Sequence, residues 1–422
     1  MKKTLIALAV ASAFAAPAAY ADVTLSGSIN AGPAYVHSGD GSTNATNTLF
    51  STGTVAQPGS SVTAIYTNYS NVTIGSLEDL GGGLKLDFAY QLTANFQSAT
   101  NAATNRNSHI GIVSDSWGGV WYGTNEMLYE SYYYTVDPLD GAAGLGGNLQ
   151  MLGTPGYGRV FDNPGAGGDP SACDAAGTRG SGCAGFYRRD SNAIWYNTPN
   201  FNGFTGGAYF TLPSYRNTVN GAAGVNSINP LLWGLGAKYV GTSMPIQAWA
   251  AYEQHQDMFG LGAITGAGSW VGAGGNGTSS KDYGIQLGVG YTFGDIFAYV
   301  NFEQLKYKED VVTGGEAEYK RNAFSIGAKW NIATGYVGGQ FIKAMNGSCT
   351  LPTTGCTAND SGAWMVGLGY YHTLSKQTQA YIMGSYTNND DLQFYSTAGG
   401  TGVPTTLGSS VYGVTVGLKH SF

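Results

Sequence analysis

The chain is 422 residues long and only 11% of them are charged, against about a quarter in soluble globular domains. Its 66 glycines and 29 tyrosines supply turns and uncharged polarity, which favours a membrane barrel over a soluble periplasmic protein, whose surface usually carries more charge. A formal charge of -7 argues against a nucleic-acid partner, which needs basic patches.

Lys2 and Lys3, the apolar run from Leu5 to Phe14, and small residues closing in Ala19-Tyr20-Ala21 read as an export signal over residues 1–21. The run is too short to cross a bilayer. Without Lys2 and Lys3 the remaining part, 22–422, has 17 basic against 26 acidic residues, a charge of -9. Past Tyr20 every hydrophobic stretch is interrupted by Gly, Asn, Ser, Thr or Gln, so no stretch of about 18 apolar residues is available for a transmembrane helix.

Segments of period two follow instead. After the turn in EDLGGGLKLDFAY, Leu84, Leu86, Phe88 and Tyr90 alternate with Lys85, Asp87, Ala89 and Gln91. Tyr283, Ile285, Leu287, Val289, Tyr291 and Phe293 form another apolar face; Val366, Leu368, Tyr370, His372 and Leu374 a third; Tyr412, Val414, Val416 and Leu418 a fourth. Strands of about ten residues with this alternation are the signature of a membrane barrel, greasy outside and polar within.

The connections alternate in length. Short ones lie at 81–83, 116–119, 199–203, 241–245, 294–295, 332–335 and 375–378; long ones at about 38–61, 97–106, 127–190, 214–230, 257–281, 308–320, 346–361 and 389–409. Seven short and eight long connections predict an all-β fold, a 16-stranded antiparallel transmembrane barrel with short periplasmic turns and long extracellular loops. Such a barrel encloses an aqueous channel rather than a packed core. Two close cysteine pairs, Cys173 with Cys183 and Cys349 with Cys356, sit in loop-like segments and read as local disulfides, with zinc as the less favoured alternative.

Several stretches resemble the general-diffusion porins of the beta-proteobacterial and neisserial type. EDLGGGLK at Glu78 to Lys85 is similar to that family's first periplasmic turn, RNSHIGIVSDSWGGVWYG at Arg106 to Gly123 to a strand, turn and strand, RRDSNAIWYNTPNFNGF at Arg188 to Phe204 to a later strand and turn, and GLKHSF at Gly417 to Phe422 to its ending. The resemblance implies a homotrimer in the lipid and lipopolysaccharide of the outer membrane of a Gram-negative bacterium. It also implies passive passage of ions and small hydrophilic solutes, no cofactor, and a role for Phe422 in membrane insertion. It implies further that the third loop, about 127–190, folds inward and narrows the pore.

The carboxylates expected at that constriction are Glu126, Glu130, Asp137 and Asp140; strand parity puts Lys85, Lys238, Arg321 and Lys329 on the wall. Arg106 is a wall candidate too, although it shares parity with the lipid-facing Ile110 and Ile112. Members of the family commonly carry arginine where this chain has Thr124 and Trp195. Their loss, with the acidic balance, predicts a weakly cation-selective or unselective pore, because a few charges at a low-dielectric constriction bias ion entry. The five histidines, His37, His109, His255, His372 and His420, have no spacing that names a metal or catalytic site, so catalysis is not expected. A barrel enzyme or a plugged adhesive barrel are the contrasting readings.

Overall fold

The structure, a computed structural model, describes residues 22–42, 58–67, 69–94, 105–139, 144–155, 185–212, 217–221, 224–228, 231–257, 280–310, 315–351, 356, 358–393, 395–397 and 407–422. The expected export signal at 1–21, Asp140, Cys173 and Cys183 lie outside them. The strands are β1 (Val23–Ser38), β2 (Ser60–Thr67), β3 (Asn71–Gly81), β4 (Leu84–Thr93), β5 (Asn105–Ser114), β6 (Gly118–Glu126), β7 (Arg189–Asn197), β8 (Phe204–Thr211), β9 (Asn217–Gly221) and β10 (Gly224–Ile228). They continue as β11 (Leu231–Val240), β12 (Ile246–Gln256), β13 (Lys281–Phe293), β14 (Ile296–Asp310), β15 (Glu316–Ile332), β16 (Gly335–Ala344), β17 (Ser348–Thr350), β18 (Ala363–Thr373), β19 (Thr378–Asn389) and β20 (Ser410–Ser421). One described α-helix, α1 (Leu128–Val136), follows β6, and a short 3-10 turn at Asn148–Gln150 comes after it.

One antiparallel sheet of 18 strands closes on itself where β1 pairs with β20, from Ser28 opposite Ser421 to Ser38 opposite Val411. Both β2 and β3 pair along β1 and so form two halves of one stave. The three-residue β17 merely extends the edge of β15. Counted as staves, the barrel therefore has sixteen. Separate from it, β9 and β10 form a hairpin of their own.

Alternation fixes the two faces. Leu84, Phe88 and Tyr90 are exposed on the outside, as are Leu287, Val289, Tyr291 and Phe293, Val366 and Leu368, and Tyr412 through Leu418 at every second residue. Inside, bulky rings lie over glycines of neighbouring strands: a Cβ on Gly288 would stand 2.0 Å from Trp249, and one on Gly327 2.5 Å from Tyr299. The first turn needs glycine for another reason, since Gly81, Gly82 and Gly83 take φ of +78°, +64° and +79°, a region that a side chain disfavours. Cys349 and Cys356 are bonded to each other.

The third loop enters the barrel through α1. Tyr129, Tyr132, Tyr133 and Val136 recur at helical spacing and are buried, which gives the short helix one apolar face to lay on the inner wall. It ends at Asp137 because Pro138 follows and restricts its backbone. Glu303 of β14 anchors the segment: Tyr129 at 3.3 Å, Tyr133, and the backbone N–H of Gly153 at 2.6 Å donate to its Oε2. Its Oε1 accepts from Arg321 of β15 at 2.5 Å. The returning limb is held by Phe186, stacked on His255 at 4.4 Å, and by Arg188, whose guanidinium binds Asp190 with Nε at 2.6 Å.

Both faces can be tested. Replacing outward Ile326 with Arg should destabilise the barrel in vesicles by about 2–4 kcal/mol, read from urea unfolding. Glu303→Leu strands the buried Arg321, a defect of about 3–5 kcal/mol, so it should raise single-channel conductance and open the third loop to protease. Adding Arg321→Met to that variant should recover most of the wild-type behaviour.

Candidate functional site

Glu126 ends β6 where the third loop departs, and three groups converge on it. Tyr69 and Arg189 donate to its Oε1, and Arg106 Nη2 lies 3.5 Å away. Arg189 Nε also donates to Asn107 Oδ1 at 2.6 Å, while Arg106 Nε donates to Gln91 Oε1 at 3.2 Å. The Arg106 guanidinium lies 4.5 Å above the Tyr69 ring. Tyr69 itself sits in the break between β2 and β3 with φ of 51°.

Strict alternation puts Arg106 on the lipid side; the structure turns it inward. The pairing of β4 with β5 slips between Tyr90 and Leu92, so Arg106 and Asn107 together oppose Gln91 and the extra residue reverses the parity beyond it.

Glu130 stands one turn along α1, only 5% exposed, and accepts from Tyr134 at 2.7 Å. Burial, reinforced by the Glu126 charge, pushes its carboxyl up to about 7. Asp137 has a different task, its two oxygens accepting from the N–H groups of Leu139 and Asn148 at 2.8 Å each, which folds the loop back on itself.

Among the wall residues, Lys85 lies 3.6 Å from Asp115 near a turn. Lys238 is half-buried on the inner face of β11, and the Lys329 ammonium is 3.9 Å from the Tyr336 ring centroid. Arg321 is engaged in the anchor at Glu303 rather than open to the lumen. Trp195 is 6% exposed and lies alongside Trp121, ring centroids 6.1 Å apart and planes within 12°. Sequence reasoning missed Arg189 and Tyr69 as members of the Glu126 cluster. Arg189 shares sequence parity with Trp195, but the β6–β7 register shifts between Gly123 and Asn125, so alternation does not carry from one to the other; nothing in the sequence marks the backbone break that delivers Tyr69.

Phe422 lies outside, and its backbone pairs with Gly27 through hydrogen bonds of 3.1 and 3.0 Å. The seam thus includes the last residue.

Aligned over its whole length, the chain is 29% identical to outer membrane porin protein 32 of Delftia acidovorans and 26% identical to an outer membrane porin protein of Bordetella pertussis, covering 100% of each. Its fold is similar to an anion-selective porin from Comamonas acidovorans, with a TM-score of 0.65 at 22% identity over 95% of this chain and 100% of that one. It is also similar to OmpT of Vibrio cholerae, with a TM-score of 0.57 at 12% identity over 96% and 99%. The Gram-negative porin family matches residues 7–392. A closed sixteen-stave barrel with an inward third loop, and a family match over most of its length, make this chain a member of the Gram-negative porins, a channel protein of the outer membrane.

Proposed function

We propose that the protein forms a homotrimeric diffusion pore for ions and small hydrophilic solutes, weakly cation-selective or nearly unselective. The observation that carries this selectivity is the sharing of Glu126 by Arg106 and Arg189 with Glu130 alongside, so the constriction's cations face carboxylates. Thr124 and Trp195 add no positive charge where the family resemblance implies arginine. Passive diffusion belongs to the family; the sign of the preference is set by these few charges, because a narrow low-dielectric passage focuses their field. Glu126 and Glu130 are the proposed field-setting carboxylates, with Asp137 shaping the loop. Lys85, Lys238 and Lys329 are proposed as wall charges that temper the cation preference.

Trimeric assembly is supported by the shared fold, OmpT of Vibrio cholerae being described in a trimer form. Phe422, at the end of the closing strand, is the proposed insertion signal. The relative from Comamonas acidovorans is described as anion-selective, and the inner-wall lysines favour that second reading here.

In planar bilayers across a potassium chloride gradient, the expected result is stable steps, in threes, with a reversal potential near zero or leaning to potassium. A clear chloride preference overturns the proposed sign. Glu126→Gln removes the carboxylate that Arg106 and Arg189 share and should move the reversal potential toward chloride.

Glu130 adds a pH dependence. A carboxyl raised to about 7 is neutral below that pH and charged above it, so cation preference should grow between pH 6 and 8. Its raised value also means that the folded state holds this proton more tightly, a contribution to stability that is lost as pH climbs through 7. Glu130→Gln should flatten the reversal-potential profile over that range.

A further inference from the structure

On the turn side of the arginine–glutamate cluster, the inner faces of β4 to β7 carry groups that the ion field at Glu126 does not use. Trp121 Nε1 donates to Asp87 Oδ2 at 2.8 Å, and His109 Nε2 lies 3.4 Å from that same oxygen. The Trp121 ring lies flat on the wall, because Gly111 and Gly119 present no side chain beneath it: a Cβ on either would stand 2.3 Å from the indole. Trp195 runs alongside, and His109 meets Trp195 edge-on at 5.7 Å. The indole is therefore fixed by a glycine floor, a hydrogen bond and a neighbouring ring, and it is half-buried with its remaining face toward the lumen.

Asp87 is the second half of the site. Both protein contacts go to Oδ2; among the described residues none reaches Oδ1, and the side chain is 32% exposed. What the wall offers a passing solute is an indole face beside a carboxylate oxygen. Among the neighbouring donors, Trp121 Nε1 and His109 Nε2 face Asp87, His109 Nδ1 is buried away from the lumen, and Lys85 lies 3.6 Å from Asp115. A neutral sugar needs several donors as well as acceptors, and here the one accessible donor group is the Lys85 ammonium, turned toward Asp115. A hydrated potassium ion gains from the carboxylate alone. An alkylated ammonium, weakly hydrated and with an apolar periphery, gains from both the ring face and the negative oxygen.

We infer that Trp121 and Asp87, steadied by His109 and Trp195, form a binding site in the pore wall for small organic ammonium cations. The inference rests on the channel reading only in that the lumen must be accessible; the site itself is a feature of the folded wall.

Choline chloride is the probe. Added to the wild-type protein in a planar bilayer, it should reduce potassium current along a saturating curve, while glucose at the same concentration should not. Trp121→Leu, which leaves every charge in place, should raise the half-blocking concentration about tenfold, a change in the range of a partly desolvated cation–π contact. Asp87→Asn should raise it similarly, and Trp121→Phe should retain most of the block. A choline effect that grows linearly without saturating, that is unchanged in Trp121→Leu, or that glucose reproduces overturns the site.

Titration calorimetry of choline into the folded protein in detergent separates the two readings. Choline heat that disappears in Trp121→Leu supports the site even where no current flows, an outcome that would sink the channel proposal instead. Absence of choline heat in the folded wild type overturns the site whatever the conductance. Heat-modifiable migration of the folded barrel on gels confirms that each variant is folded before its result counts.

Discussion

Every backbone amide that enters the hydrocarbon layer must find a partner within the protein, and the sheet satisfies this by closing β1 against β20. Closure has a consequence for composition. Once lipid covers the outside and water the inside, each stave must alternate, and charged residues are confined to one face. That is why 11% charge suffices: the surface facing lipid takes nearly none. The inner face then has to be filled to a chosen width, and rings laid over Gly288, Gly327, Gly111 and Gly119 thicken the wall without narrowing the lumen by a full side chain.

A wide barrel alone would discriminate little, so the loop must stay inside it. The anchor is polar because the apolar face of α1 supplies adhesion without register. Glu303 supplies register: two tyrosine hydroxyls, one backbone N–H and one guanidinium fill its two oxygens from separate directions. Burying that pair is costly, and removing one member leaves the other stranded. The arrangement therefore penalises partial release of the loop more than an apolar contact of the same area would.

The barrel was legible because alternation and turn spacing are local properties. Tyr283 to Phe293 announces its face without reference to any other strand, and the triple glycine announces a turn. Cys349 and Cys356 were legible for the same reason, lying seven residues apart. The side-chain cluster at the head of the third loop was only partly so. Glu126 and Glu130 follow from their place at the loop's start, but Arg106 depends on a slip in the β4–β5 register, which period-two reasoning reads as the wrong face. The anchor was hidden by distance, since Tyr129 and Glu303 are 174 residues apart, and no local pattern reports such a meeting.

The inner wall also divides its charges by height, and this division bears on what selectivity means for the pore. At the loop, Arg106 and Arg189 both pair with Glu126, and Glu130 feels the charge of all three, so their fields partly cancel for a distant ion and only the balance is felt. Nearer the turns, Asp87 is set among rings and a histidine, with no arginine or lysine in its described contacts. In the proposed pore a simple ion responds mainly to the balance at the third loop, where low-dielectric walls concentrate the field. A solute large enough to touch the wall responds instead to the local chemistry it passes. The proposed weak discrimination among small ions and the proposed contact recognition of a larger cation are therefore compatible in one channel, because they are assigned to different residues at different depths.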